Sequence, residues 1–183
     1  GSYEVKTALN IAPHVFLRPN ELSGLLWSEI DFDEKLIRID PDRMKMNRMH
    51  LVPMSKQVLS LFKELSKYSR GGDYVFPTPR DISKPITPDS LRNAIRKLGI
   101  EKDEFTTHSF RSMASTRLNE LGFKGEVIEI QLAHAEKNKI RGAYNHAEYL
   151  PERKKMMQAY SNYLDKLQNK STVSPSGLQQ SLF

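Results

Sequence analysis

Apolar residues recur every three or four positions along most of the chain, which is the spacing of an amphipathic helix. The pattern first appears over residues 3–16. It restarts at Arg18-Pro19, since proline suits the first turn of a helix, and continues to Trp27. Further helices are predicted over residues 55–67, 89–98, 107–121, 125–132 and 150–167. The chain is therefore predicted to be mainly helical.

Between Ile30 and Pro53 the apolar period changes toward two, as in a half-buried strand. Polar groups at residues 33–34 and 40–42 interrupt this pattern. We predict a short antiparallel sheet here, with Lys45 at the start of its last strand or in the turn before it. The expected fold class is mainly α with a small antiparallel β-sheet, an α+β domain.

The two ends of the chain differ from the rest. Helical spacing begins almost at the first residue, which we interpret as the start of an N-terminally truncated piece of a longer protein, with one domain over residues 1–168. After Gln168 the composition shifts to Ser, Gln, Thr, Pro and Gly with one charged residue. Such a composition predicts a flexible tail over residues 169–183.

Composition and charge narrow the possible functions. The 183 residues include 28 Lys+Arg against 22 Asp+Glu, which gives a formal net charge of +6 at pH 7. The absence of cysteine excludes a disulfide scaffold, a thiolate nucleophile and cysteine-based zinc or iron–sulfur sites. No apolar run approaches the ~18 residues of a membrane span, so no membrane association is expected. The excess positive charge favours a polyanion as partner.

The segment His108-Ser109-Phe110-Arg111 is the first candidate for chemistry. With Thr106 or Thr107 as the helix cap, its imidazole and guanidinium lie three residues apart on one face. Taken alone, such a pair is also typical of a surface helix whose arginine contacts a carboxylate. The residues found elsewhere in the chain decide between these interpretations.

Six residues in a fixed order resemble the signature of the tyrosine recombinase (phage integrase) family. They are Arg18, Lys45, His108, Arg111, His134 and Tyr144. The context matches as well, because residues 17–22 are similar to the family's RPGEL segment, with Asn20 in place of its glycine. The likeness covers roughly residues 3–165, and Ala135-Glu136 after the second histidine is typical of prophage integrases.

This resemblance implies the fold of a tyrosine recombinase or type IB topoisomerase catalytic domain, and a role for each signature residue. Tyr144 would attack the phosphorus to form a 3′-phosphotyrosyl bond and release a 5′-hydroxyl. His108 would handle the tyrosine proton, and Lys45 would protonate the leaving oxygen. For Lys45 a solvated basic turn that only touches phosphate is an alternative, because residues 43–48 contain three cations.

The remaining signature residues would stabilise the transition state. Arg18 and Arg111 would grip the non-bridging oxygens, and His134 would donate a hydrogen bond to one of them. Glu21 either holds the Arg18 guanidinium in place or is an exposed first-turn acid favoured by the helix dipole. Because the arginines would neutralise the charge, neither a metal nor a cofactor is expected.

The expected partner is double-stranded DNA at attachment sites, bound by four protomers, with a monomer as the isolated form. The expected location is the cytoplasm of a bacterial host, at the nucleoid when DNA is bound. Phosphate contacts are predicted for five cations, of which the last two equally fit a solvated helix face. They are Arg43, Arg48, Lys84, Arg92 and Arg96.

Three other functions remain open from the sequence. A type IB topoisomerase would share the catalytic residues but act on one duplex. A non-catalytic remnant would keep the fold and the basic surface without cleaving DNA. A basic helical domain that binds RNA or protein would form no covalent adduct. Tyr149, Tyr160 and Tyr163 are assigned structural roles, since a tyrosine is most often a packing residue.

Overall fold

The computed structural model describes residues 2–44, 47–134 and 149–172, with the side chains of the last two residues excepted. The described helices are α1 (Tyr3–Val15), α2 (Pro19–Ser23), α3 (Lys56–Lys67), α4 (Pro88–Arg96), α5 (Ser109–Glu120), α6 (Gly125–Gln131) and α7 (Leu150–Thr172). The strands are β1 (Ile30–Asp31), β2 (Leu36–Ile39) and β3 (His50–Pro53), and short 3-10 turns cover Trp27–Glu29 and Pro41–Arg43. The predicted fold class, mainly α with a small antiparallel sheet, is confirmed.

The three strands form one antiparallel sheet in the order β1-β2-β3. Ile37 of β2 is paired with Ile30 of β1 on one side and with Val52 of β3 on the other. All three side chains are buried, so this row of the sheet is part of the hydrophobic core. Two short antiparallel connections suffice for this order, which is why the sheet arises from neighbouring segments of sequence.

Helix α1 lies at the centre of the domain and contacts α3, α4, α5 and α7. Ser2 caps its N-terminus by accepting a hydrogen bond from the amide of Val5. Ile11 and Val15 are fully buried, and Phe16 ends the helix in the left-handed region with φ 57°. The chain therefore turns sharply just before Arg18, inside the core.

Two helix ends differ from the prediction. Helix α2 stops at Ser23 instead of continuing toward Trp27. A Cβ on the next residue, Gly24, would lie 3.0 Å from Nη2 of Arg43, so a side chain here would have to displace that guanidinium. Helix α7 continues to Thr172, past the predicted end at residue 167, so residues 169–172 of the predicted tail are helical.

Residues 173–183, the remainder of the predicted tail, lie outside the described residues. Helix α7 packs against α1, α5, α6 and β3, which fixes it to the domain along its first half. Among the described helices, none is both long and apolar enough to cross a lipid bilayer.

Candidate active site

Arg18 stands at the N-cap of α2 and is held there by Glu21. Its amide donates to Oε2 of Glu21 at 2.8 Å, and its Nη1 donates to Oε1 at 3.0 Å. The Glu21 side chain is only 5% exposed, which differs from the exposed first-turn acid of the alternative interpretation. The ion pair therefore fixes both the backbone and the guanidinium of Arg18.

Arg111 is buried on the first turn of α5, with 3% of its surface exposed. Its Nη1 donates to the carbonyl of Phe16, and its Nη2 donates to the carbonyl of Leu132 at 2.5 Å. Its Nε is buried and has no hydrogen-bond partner among the described residues. Burial, together with the nearby charge of Arg18, lowers the pKa of Arg111 to about 10, which leaves it cationic at pH 7.

The end of α6 brings these two arginines together. Nη2 of Arg18 donates to the carbonyl of Ala133 at 3.1 Å, next to the Leu132 carbonyl that Arg111 contacts. Ala133 has φ 48°, so the chain turns here directly before His134. Arg18 and Arg111 are distant in sequence, and they meet at these two carbonyls, which directly precede His134.

His134 is exposed, and its imidazole contacts a carboxylate of the preceding helix, α6. Its Nδ1 lies 2.6 Å from Oε2 of Glu129, and its amide donates to the Glu129 carbonyl at 3.1 Å. A proton on Nδ1 makes this contact, which leaves Nε2 for a different partner. Glu129 therefore orients the imidazole, a role for which the sequence offered no signal.

His108 lies at the N-cap of α5, on an open groove between the starts of three helices. The helix begins at Ser109, later than predicted, and the Ser109 hydroxyl accepts a hydrogen bond from the Thr106 amide at 2.9 Å. The groove has a volume of about 560 Å³. It is lined by Arg18, Pro19, Asn20, Glu21, Arg43, Pro88, Arg92, Thr107 and His108. Arg18 and His108 thus face the same space.

Two of the six signature residues, Lys45 and Tyr144, lie outside the described residues, as do Ala135 and Glu136. The strand predicted near Lys45 is β3, which begins five residues later, at His50. The structure therefore brings Arg18 and Arg111 together on two adjacent carbonyls that directly precede His134, and His108 lies on a groove that Arg18 also lines.

The cations predicted to bind phosphate fall into two groups. Arg43 and Arg96 donate hydrogen bonds to other groups of the protein. Arg43 donates to the buried Glu29 carboxylate and, at 3.2 Å, to the Glu21 carbonyl. Arg96 donates to the carbonyls of Ile100 and, at 2.7 Å, Phe105. Arg43 thus connects the helix that carries Arg18 to the 3-10 turn that precedes Lys45.

The other three of these cations are at the surface. Arg92 is paired with Asp89 on the exposed face of α4 and lines the groove. Lys84 is paired with Asp81 at 3.2 Å, and both side chains are exposed. Arg48 forms no ion pair with any residue in the described ranges. In the described part of the chain, no cluster of three His, Cys, Asp or Glu side chains could hold a metal.

Comparison with known proteins gives concordant matches. Residues 1–150 match the model of the phage integrase family. The prophage integrase IntS of Escherichia coli K12 is 39% identical over 166 residues, which cover 90% of this chain and 43% of that protein. The integrase of Shigella phage Sf6 is 38% identical over the same shares of each chain.

The fold has solved counterparts. A structure of the Tn1549 transposon integrase, in complex with a circular intermediate DNA, superposes with a TM-score of 0.59. The match covers 76% of this chain and 52% of that one at 19% identity, and so shows the fold alone. The chain spans less than half the length of the curated relatives it matches.

Proposed function

The chain belongs to the phage integrase family, and from that premise we propose that it is the catalytic domain of a site-specific DNA recombinase. The observation that carries this proposal is the pair of arginines fixed on consecutive carbonyls beside His134, with His108 on the adjoining groove. It would cleave and rejoin DNA through a 3′-phosphotyrosyl intermediate, and so integrate or excise a mobile element.

The paired arginines suit the transition state of phosphoryl transfer. Negative charge grows on the non-bridging oxygens as the nucleophile attacks, so donors that are already in place lower the barrier. Glu21 and the Ala133 carbonyl hold Arg18, whereas the Phe16 and Leu132 carbonyls hold Arg111. A guanidinium has five N–H donors, so each arginine keeps some for phosphate.

The reaction proposed is a reversible transesterification. The Tyr144 hydroxyl forms a bond to phosphorus, the bond from phosphorus to the 5′-oxygen breaks, and His108 takes the tyrosine proton. Lys45 donates a proton to the leaving 5′-oxygen. His134, oriented by Glu129, donates to a non-bridging oxygen. Attack by a 5′-hydroxyl reverses these steps and rejoins the strand.

The substrate proposed is a pair of double-stranded DNA attachment sites. The Tn1549 transposon integrase, whose fold this chain shares, was solved with DNA, and the net charge of +6 suits a polyanion. We propose four protomers on two sites, a monomer without DNA, and action in the bacterial cytoplasm at the nucleoid. Residues 1–168 form the proposed catalytic domain.

Trapping of the covalent intermediate tests this function. The full-length natural protein is incubated with a duplex from the edges of its mobile element, nicked so that cleavage releases a short strand and prevents rejoining. We expect a protein–DNA adduct on a denaturing gel, joined to a 3′-phosphate and formed equally in the presence of EDTA.

Two results would change the proposal. Binding of the same duplex without an adduct would favour the non-catalytic remnant. An adduct of equal yield on duplexes of unrelated sequence, together with relaxation of supercoiled DNA, would favour a type IB topoisomerase.

The two arginines on α4 are expected to differ in function. Arg92→Ala removes an exposed cation from the groove, so the plot of log affinity for DNA against log salt should become shallower by about one unit with an unchanged Tm. Arg96→Ala leaves the Ile100 and Phe105 carbonyls without their donor, so it should cost about 1–3 kcal/mol of unfolding free energy. Fluorescence anisotropy and thermal unfolding measure the two effects. An Arg96→Ala variant as stable as the wild type would contradict the assignment.

A further inference from the structure

A buried arginine lies on the first turn of α7, outside the site described above. Arg153 is 1% exposed. Its Nε donates to Oε1 of Gln131 at 2.9 Å, its Nη2 donates to the carbonyl of Leu51, and its amide donates to the Tyr149 carbonyl at 2.8 Å. Burial lowers its pKa to about 10, so it remains charged at pH 7.

A cation at this position costs stability. Moving a charge out of water is unfavourable, and the first turn of a helix is the end at which the helix dipole disfavours a positive charge. An apolar side chain of similar size would avoid both costs. It would also lose the planar fork, which reaches two separate acceptors in a fixed geometry.

The segments that Arg153 joins lie close in sequence to residues of the proposed site. Leu51 is in β3, the strand that follows Lys45 in the sequence. Gln131 is the last residue of α6, three positions before His134. Arg153 itself is on the helix that follows Tyr144.

Gln131 connects Arg153 to the two arginines of the site. Its side chain is fully buried, and the next two carbonyls along the chain accept from Arg111 and Arg18. A shift of Gln131 would therefore move both carbonyls and the guanidiniums that they hold. Arg153 is too deeply buried to touch DNA, so its effect on the reaction would pass through its contacts within the protein.

We propose that Arg153 is a positioning residue for the strand-transfer reaction. It fixes β3, the end of α6 and the start of α7 relative to one another, and thereby the Leu132 and Ala133 carbonyls that hold Arg111 and Arg18. This inference rests on the proposed function of Arg18, Arg111 and His134.

Arg153→Met, which keeps the length and removes the donors, is the first test variant. The matched control is Ser161→Ala on the same helix. Ser161 is also fully buried, and its hydroxyl lies 2.8 Å from both Ser55 Oγ and His14 Nδ1. Neither partner belongs to β3, to the end of α6 or to the set of site residues. Both variants lose a buried polar contact of α7, but only the first loses a contact to β3 and α6.

The measurements are single-turnover adduct formation on the nicked duplex and amide hydrogen exchange of the full-length protein. For Arg153→Met we expect the rate at saturating DNA to fall about 10- to 100-fold, since small misplacements of reacting groups have effects of this size. The DNA concentration for half-maximal rate should change less than about 2-fold, because no DNA contact is lost. Exchange should rise at β3 and over residues 128–134.

Ser161→Ala should lower the Tm while the saturating rate stays within about 2-fold of the wild type. The double variant Gln131→Met with Arg153→Met should lose no more rate than Arg153→Met alone, because both changes remove the same contact between these two side chains. Should Arg153→Met fail to fold, Arg153→Lys takes its place, since it keeps the charge and loses only the fork. Its saturating rate should fall at least about 5-fold by the same reasoning.

Several results would overturn the inference. One is a folded Arg153 variant with the wild-type saturating rate, and another is a loss confined to DNA affinity. A third is a loss of rate in both the Arg153 and the Ser161 variants that is proportional to their loss of Tm. If the wild type itself forms no adduct, the proposed function is rejected instead. If, in addition, Arg153→Met shows the same amide hydrogen exchange as the wild type at β3 and residues 128–134, the positioning contacts are rejected as well.

Discussion

Tyr144→Phe is expected to abolish the covalent adduct on a nicked attachment-site duplex. A phenyl ring has no oxygen to attack phosphorus, so the rate should fall below detection, a loss of more than about 1,000-fold. Affinity for the same duplex should stay within about 3-fold, because only one hydroxyl is removed. Denaturing gels and fluorescence anisotropy measure the two quantities.

Tyr149→Phe is the matched control for Tyr144→Phe. Tyr149 has φ 58° and contributes its carbonyl to the Arg153 amide, a backbone contact that phenylalanine preserves. Its variant should keep the adduct. Loss of the adduct with Tyr149→Phe, and its survival with Tyr144→Phe, would mean that the nucleophile is wrongly assigned.

Two tyrosines of α7 pack against neighbouring side chains, Tyr160 in the core and Tyr163 at its edge. The Tyr160 ring meets Phe16 edge-on at 5.1 Å, and burial raises the pKa of its hydroxyl to about 12. The guanidinium of Arg117 lies 4.8 Å from the centre of the Tyr163 ring. Such contacts stabilise the fold and make both residues poor candidates for the nucleophile.

Helices whose ends depend on local chemistry could be predicted from the sequence. The helix predicted over residues 55–67 is α3: the Ser55 hydroxyl caps it by accepting from the Val58 amide, and it ends at Lys67. Both signals lie within a few residues of the helix. At the end of α2, Gly24 packs closely against Arg43 of another element, a contact that the local pattern does not contain.

In the site, too, some features could be predicted from the sequence and others could not. The identity and order of the signature residues could be read along the chain by resemblance. The groups that hold them could not, because main-chain carbonyls such as those of Phe16 and Leu132 have the same chemistry at every position in the sequence. Only the folded chain shows that Arg111 joins the end of α1 to the end of α6. The sequence gives no signal for Arg153 for the same reason, since one of its acceptors is the Leu51 carbonyl.

Arg111→Lys is expected to lose both activity and stability. Lysine keeps the positive charge, but its single ammonium lacks the fork that reaches the Phe16 and Leu132 carbonyls together. We expect adduct formation to fall by about 100- to 1,000-fold, as for loss of a transition-state donor. The free energy of unfolding should fall by about 3 kcal/mol, because a buried charge loses partners. Single-turnover kinetics and urea unfolding measure the two losses.

Arg18→Lys separates the two effects, because Arg18 is 26% exposed and its ammonium could still pair with Glu21. It should lose adduct formation to a similar extent, while its unfolding free energy changes by less than about 1 kcal/mol. Equal stability losses in the two variants would contradict the different burial of the two arginines. A fully active Arg111→Lys variant would mean that Arg111 only joins α1 to α6, and that Arg18 alone stabilises the transition state.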